Sequence, residues 1–147
     1  MKLPDELYRT HLREWVNLRS SLQDCALIDQ LHGTWEFWKK FQLQNHYLHP
    51  ADIEDWPSPW ELLHDNLYCV YARTLGIFYT LRVLGIERID MVESVDYTSS
   101  LEIVYLVIDG EFMLDCIDGT ISNVISSPNM HVLRILNSDV LNKKIGK

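Results

Sequence analysis

The longest apolar pattern in the chain covers residues 67–84, which include only two charged side chains. A segment of this length without a polar face is typical of a helix buried at the centre of a domain. It is too short and too interrupted for a bilayer span. Gly85 follows as a natural helix end. We therefore predict a central helix over residues 67–84, with Asp65 or Asn66 as its N-cap.

A stripe of small residues follows Cys69 along this predicted helix. Ala72, Gly76 and Thr80 recur at three- and four-residue steps on the face that carries the cysteine. Small side chains allow another backbone to approach closely, and we expect that backbone to belong to a sheet. Residues 56–59 contain two prolines and predict a stiff connector before the helix, followed by a short helical turn.

The N-terminal third predicts two helices and a loop. Residues 3–17 have an amphipathic pattern, with a proline and two acidic residues at the start, as a helix N-terminus favours. Residues 22–38 carry a second apolar stripe, which we expect to face the core. Residues 42–55 show no period and predict an ordered loop. The members of the second stripe are Leu22, Cys25, Ile28, Leu31 and Trp35.

The pattern changes to strands after Gly85. Residues 101–108 form a β-branched, nearly continuous apolar run, typical of a central strand. Asp109 and Gly110 are a strong type I′ hairpin signal. In the strand that follows, Phe112, Leu114 and Cys116 should face the core. The other predicted strands are 88–95, 111–117, 120–125 and 131–136, and a short helix capped by Ser138 should cover 139–145.

Helices that precede strands in this way indicate an α+β fold, with the sheet packed on the central helix. The length of 147 residues predicts one domain, 1–147. Its parts are the N-terminal helices (1–45), the connector and central helix (56–85), the antiparallel sheet (86–136) and a C-terminal tail (137–147).

Composition narrows the classes of function. The net charge of −8 argues against a nucleic-acid binder that works through a basic surface. Three cysteines without CxxC spacing argue against a disulfide framework or a cysteine zinc site and favour reduced thiols. The N-terminus lacks the apolar core of a secretion signal. We expect no membrane association, no cofactor and no metal.

A cysteine in the first turn of a buried helix, followed by an antiparallel sheet, resembles the papain-like and transglutaminase-like core. The resemblance covers about residues 60–119 and implies that Cys69 is a nucleophile. It also implies that Asp115 or Asp118 is the acid that orients a histidine. The histidine position of that family falls near residues 100–102, where this chain has none.

Other histidines are candidates to replace the missing base. His64 precedes Cys69 by five residues, and His46 or His49 could fold back from the loop. The same loop carries Asp52, Glu54 and Asp55. A metal site there is a weaker alternative, because the spacing is not that of a standard zinc motif.

Residues 47–81 also resemble a segment of small proteins encoded by tailed bacteriophages. The matching features are Tyr-Leu-His, Trp-Pro-x-Pro-Trp, and Tyr-Cys ahead of Ala-Arg-x-Leu-Gly. This resemblance implies a phage origin and a place in the virion, after synthesis in the host cytoplasm. Expected partners are other phage structural proteins, in several copies around a symmetric assembly.

Three functions follow from these patterns. The first is a structural or interaction protein of a phage tail, baseplate or neck, with a degenerate transglutaminase-like core in which Cys69 only packs against its neighbours. The second is a cysteine-dependent hydrolase or acyltransferase that uses Cys69 and Asp115. The third is an inhibitor of a host enzyme. An imidazole within hydrogen-bond reach of the Cys69 sulfur would favour the second.

Overall fold

The computed structural model describes residues 4–41, 43, 48–64, 69–124 and 130–145. The helices come first and an antiparallel sheet follows. The helices are α1 (Asp5–Leu22), α2 (Leu27–Trp38), a 3₁₀ helix (Pro50–Asp55), α3 (Pro59–His64), α4 (Val70–Val83) and α5 (Ser138–Ile145). The strands are β1 (Ile89–Asp96), β2 (Leu101–Ile108), β3 (Phe112–Asp115), β4 (Ile121–Asn123) and β5 (Met130–Leu136).

The five strands form one antiparallel sheet in the order β4-β3-β2-β1-β5. β1 and β2 pair over their full length, from Ile89 opposite Ile108 to Asp96 opposite Leu101. The turn between β2 and β3 has positive φ at Asp109 (56°) and Gly110 (67°), as a type I′ turn requires. The predicted central strand, hairpin and α+β order are therefore confirmed.

The central helix α4 lies between the N-terminal helices and the sheet. Ten consecutive residues of α4, from Ala72 to Leu81, are buried. On one side α4 contacts Trp15 of α1 and Trp38 of α2, and on the other side it contacts strands β1 and β2. The prediction of a buried central helix packed on an antiparallel sheet is correct.

The small-residue stripe of α4 faces tryptophans rather than the sheet. The Thr80 hydroxyl accepts hydrogen bonds from the indole N–H groups of Trp15 and Trp38, each at 2.9 Å. A Cβ on Gly76 would lie 2.6 Å from the Trp38 ring. The expectation of close approach is therefore correct, but the partner is the N-terminal helices. The predicted sheet contact was wrong, because a large flat indole can use the same space.

The N-terminal helices divide differently from the prediction. α1 continues to Leu22, and a turn at residues 23–26 separates it from α2. Cys25 lies in this turn and is exposed, so its predicted core-facing position was wrong. Its thiol donates to the carbonyl of Ser21 at 3.3 Å, one turn back along the chain. Leu31, in contrast, is fully buried as predicted.

The central helix begins three residues later than predicted. Cys69 itself is the N-cap, with extended backbone angles (φ −117°, ψ 179°), and α4 starts at Val70. The proposed caps Asp65 and Asn66 lie outside the described residues. The helix ends as expected, because Gly85 adopts φ +101°, which side-chain-bearing residues rarely adopt.

The remaining predictions agree with the structure in outline. β4 is shorter than the predicted strand, and Pro128 lies outside the described residues. The C-terminal helix is present, although Asn137 rather than Ser138 accepts from a first-turn amide, that of Asp139 at 3.0 Å. Among the described residues, no helix is long and apolar enough to cross a membrane.

Candidate functional site

Cys69 occupies an unusual place for a cysteine. N-caps are mostly Ser, Thr, Asp or Asn, whose oxygens accept from free amides of the first helical turn. Here the Cys69 sulfur takes that role and accepts from the backbone N–H of Ala72 at 3.4 Å. The residue is 3% exposed. A negative charge on the sulfur would therefore lie at the positive end of the α4 dipole.

A cleft of ≈ 310 Å³ lies directly beside this helix start. The first two residues of α4 form one wall, and strands β1 and β2 and the end of β3 form the others. The wall is mostly apolar, and its charged members are all acidic. The cleft is lined by Val70, Tyr71, Glu93, Glu102, Ile103, Val104, Asp115 and Ile117.

A polar network connects α4 to the sheet at this cleft. The Tyr71 hydroxyl donates a hydrogen bond to the carboxylate of Glu93. The same carboxylate oxygen lies 3.5 Å from Nε of Arg134 on β5. Burial raises the pKa of Tyr71, and the hydrogen bond and negative charge of Glu93 raise it further. The phenol therefore stays protonated and serves as a donor.

The structure separates the two candidate acids. Asp115 lines the cleft and pairs with Tyr105 at the end of β3, where its Oδ1 accepts from the backbone amides of Ile117 (2.8 Å) and Asp118 (3.3 Å). Asp118 instead accepts from the amide of Thr120 at 2.8 Å and is exposed. Of the two, Asp115 is the residue at the cleft.

Among the described residues, no imidazole contacts the Cys69 sulfur. The His64 ring packs on Tyr8 at 4.5 Å, and its Nε2 lies 3.8 Å from Asp5, so this side chain is directed toward α1. His46 lies outside the described residues. Glu102 stands at the start of β2, where the transglutaminase-like core would carry its histidine.

His49 is connected to the cleft through two aromatic residues. Its carbonyl accepts from the Trp56 indole at 3.0 Å. The Trp56 ring packs on Tyr71 at 5.6 Å, with the two planes at 63°. Tyr71 is itself a cleft residue. These contacts connect the backbone of His49 to the cleft residue Tyr71 through Trp56.

The other two cysteines have separate surroundings. Cys116 is fully buried on the helix-facing side of the sheet, and burial raises the pKa of its thiol to about 12. Its predicted core position is confirmed, and at neutral pH its thiol is protonated. Cys25 lies in the exposed turn before α2. Of the three, Cys69 is the cysteine at a helix N-terminus beside a cleft.

The described residues of the loop that sequence reasoning considered for a metal do not gather a set of ligands, and His46 lies outside them. In the described part of the chain, no group of three His, Cys, Asp or Glu side chains could hold a metal ion. Residues 50–55 form the 3₁₀ helix, and the exposed Asp52, Glu54 and Asp55 are spread along it.

Sequence reasoning missed Glu93, Tyr71 and Arg134. A signal was available for Glu93, because it alternates with Ile89 and Met91 on the core-facing side of β1. A carboxylate in such a position is uncommon unless its charge is matched. Arg134 was not predictable in the same way, because it reaches Glu93 only through the pairing of β5 with β1.

Comparisons with known proteins identify the fold. No protein-family model matches this chain, and no curated protein is significantly similar to it. Among solved structures, Legionella pneumophila LapG is similar over 97% of this chain and 91% of its own, with a TM-score of 0.73 and 17% identity. Calcium-bound LapG matches with a TM-score of 0.73 and 19% identity, over 90% of this chain and 77% of that one. EGTA-treated LapG matches with a TM-score of 0.72 and 20% identity, over 92% and 76%.

At these identities the similarity shows the fold alone. It is the transglutaminase-like fold of LapG, so the predicted transglutaminase-like core is confirmed. The three neighbours come from a bacterium, and they give no support to a phage origin.

Proposed function

We propose that this protein is a cysteine-dependent hydrolase or acyltransferase in which the Cys69 thiol attacks an acyl group. The observation that carries the proposal is the position of Cys69. Its sulfur caps the central helix of a fold shared with LapG, and the two residues that follow it, Val70 and Tyr71, line a cleft large enough for a side chain. The helix N-terminus stabilises the negative sulfur that such an attack requires.

The proposed reaction has two halves. The sulfur forms a bond to the carbonyl carbon of the substrate while the thiol proton passes to a base. The tetrahedral adduct then loses an amine or alcohol, which takes up that proton, and a thioester remains on Cys69. Water or an acceptor amine attacks the thioester, and the thiol is restored.

The base in this proposal is an imidazole rather than a carboxylate. Proton transfer from an ordinary thiol to an ordinary glutamate costs about 6 kcal/mol, because their pKa values differ by about four units. Glu102 is therefore a poor base despite its position. We assign the role to His49, because its carbonyl accepts from the Trp56 indole and the Trp56 ring packs on the cleft residue Tyr71. Asp115 is assigned the role of the acid at the cleft.

The test is acylation by 4-nitrophenyl acetate, followed by intact-mass spectrometry. Every protein in this test carries Cys25→Ser, because the exposed Cys25 thiol would itself react with the ester. We expect one acetyl group to be added, and we expect Cys69→Ser to abolish this. His49→Gln should slow acylation by about 10²–10⁴-fold, the usual contribution of a general base. His131→Gln, on the exposed side of β5, is the matched control. Equal acylation in the Cys69→Ser protein would refute the proposal.

The second candidate is a non-catalytic interaction protein. It is favoured by the 3% exposure of Cys69 and by the absence of an imidazole contact to its sulfur within the described residues. As a phage protein it would be made in the host cytoplasm and assembled in several copies with other structural proteins. Its phage assignment rests only on the resemblance of residues 47–81, and the comparisons with known proteins do not support it. Mass spectrometry of purified particles tests it: a protein absent from the particle is not a virion component.

A further inference from the structure

Glu93 is a charged side chain at a position that favours apolar residues. It lies on β1 after Ile89 and Met91, which are both buried against the core. Glu93 itself is 7% exposed. A buried carboxylate persists when its charge is balanced by partners or by a ligand.

The partners of Glu93 within the chain use only one of its two oxygens. Oε2 accepts from the Tyr71 hydroxyl and also faces Nε of Arg134 at 3.5 Å. Oε1 receives no hydrogen bond from the described residues, yet it is not among the polar atoms sealed from solvent. Glu93 lines the cleft, and we infer that a ligand in the cleft can reach this second oxygen.

The charges at the cleft are unbalanced. Glu93, Glu102 and Asp115 line it, and no Lys, Arg or His among the described residues does. Arg134, behind Glu93, supplies the one neighbouring cation of the network. The rest of the wall is apolar, with the side chains of Val70, Ile103, Val104 and Ile117. The cleft thus offers apolar contact along its length and negative charge at its polar groups.

We propose that this cleft is a specificity pocket that takes a lysine or arginine side chain of a polypeptide. The aliphatic stem would pack on the apolar wall, and the cationic head would bind the free oxygen of Glu93 and the exposed carboxylate of Glu102. The volume of ≈ 310 Å³ is at the small end of ligand pockets and suits one side chain. The link to catalysis rests on the proposed function of Cys69, whereas the binding itself needs no thiol.

A long organic cation fits the arrangement better than a metal ion does. Within the described residues, the carboxylates do not converge into a set of metal ligands. Asp115 already accepts two backbone hydrogen bonds through Oδ1. The remaining two, Glu93 and Glu102, lie on neighbouring strands, with Glu93 opposite Val104, two residues from Glu102. A metal ion needs several oxygens around one point, whereas a lysine side chain needs one or two at the end of its stem.

The experiment is an NMR titration of the Cys69→Ser protein with acetyl-Gly-Lys-Gly-amide. The control peptide has norleucine in place of lysine, which keeps most of the stem and removes the charge. We expect the lysine peptide to shift the amides of Val70, Tyr71 and Glu102 and to bind about tenfold more tightly than the control, the size of one charge-assisted hydrogen bond. Glu102→Gln should weaken lysine binding by a similar factor. Glu111→Gln, beyond the far end of β2, should not change it.

Three outcomes would overturn the inference. These are equal binding of the two peptides, no binding of either peptide, or displacement of the lysine peptide by CaCl₂ with shifts at the same amides, which would identify a metal site. The result is independent of the proposed function. Lysine binding without acylation of Cys69 would end the enzyme proposal alone, and acylation without a lysine preference would end the pocket proposal alone.

Discussion

The hydroxyl of Thr80 serves two tryptophans from two different helices. It accepts from Trp15 of α1 and Trp38 of α2, and it donates to the carbonyl of Gly76 at 2.8 Å within α4. Thr80 and both indoles are fully buried. One small side chain therefore accepts from two buried donors, and it fixes both helices on α4.

Thr80→Val tests this arrangement with little change in shape. The valine cannot accept a hydrogen bond, so two buried indole N–H groups lose their partner. We expect the free energy of unfolding to fall by about 2–6 kcal/mol, since each of the two buried donors that loses its acceptor costs about 1–3 kcal/mol. Urea denaturation measures the change.

Thr10→Val is the matched control for this prediction. Thr10 also donates to the carbonyl four residues earlier, that of Glu6 at 3.1 Å, but it serves no indole. We expect its effect to be below about 1 kcal/mol. Similar losses in the two variants would mean that the two tryptophans do not depend on Thr80.

At the scale of elements, the features that were predicted correctly are those that a short stretch of sequence determines. The central strand β2 begins and ends where its apolar run does, and the Asp109–Gly110 turn is set by two residues that accept positive φ. The break between α1 and α2 was predicted a few residues too early, because residues 23–26 contain neither Gly nor Pro and the apolar spacing continues through them. The small-residue stripe predicted a close contact but could not identify the surface that makes it.

In the candidate site too, single residues were identified from the sequence, whereas the cleft that several strands form was not. Cys69 and Asp115 were recognisable from the sequence, because each follows from its place in the order of helix and strands. The cleft was not, because Glu93 and Glu102 meet only through the register of β1 and β2, in which Val95 lies opposite Glu102. Strand register and the approach of Tyr71 are tertiary features that no short window of sequence contains.

Gly76→Ala tests the packing of α2 against α4. The added methyl group would lie 2.6 Å from the rigid indole of Trp38, so α2 must move away. We expect a loss of about 1–3 kcal/mol in the free energy of unfolding, the usual cost of overpacking.

Gly33→Ala is the control for the same substitution within a helix. Its methyl group would meet the end of the flexible Leu22 side chain at 2.9 Å, which can rotate away. The higher helix propensity of alanine offsets part of the cost, and we expect a change below about 1 kcal/mol. Thermal or urea unfolding of both variants gives the comparison, and a larger loss in Gly33→Ala would contradict this account.

At the scale of the whole molecule, two buried weak acids, the thiol of Cys116 and the phenol of Tyr79, make the free energy of unfolding fall at alkaline pH. Burial raises the pKa of Cys116 to about 12, from an ordinary value of 9.0. Burial also raises the pKa of Tyr79, whose hydroxyl donates to the carbonyl of Pro57 at 2.6 Å. These groups stay protonated in the folded state at a pH where the unfolded chain releases their protons. Their contribution to stability is therefore present below about pH 9 and is lost as the pH rises.

Cys116→Ala should make this alkaline loss less steep. Between pH 9 and pH 10.5 we expect the free energy of unfolding of the variant to fall more slowly than that of the natural protein, by a difference that approaches about 1.4 kcal/mol per pH unit. Urea unfolding at several pH values measures both slopes. Cys25→Ala removes an exposed thiol and should leave the slope unchanged. Parallel curves for Cys116→Ala and the natural protein would contradict the prediction.

The central claim is that Cys69 is a reactive nucleophile, and the most direct measurement is the rate at which each cysteine of the native protein reacts with iodoacetamide. Peptide mass spectrometry separates the three sites, so exposed Cys25 and buried Cys116 serve as internal references. The account predicts that Cys69 reacts faster than Cys25 at neutral pH, despite its 3% exposure, and that Cys116 does not react. A Cys69 that stays unmodified alongside Cys116 until the protein is unfolded would contradict it and would favour the non-catalytic role.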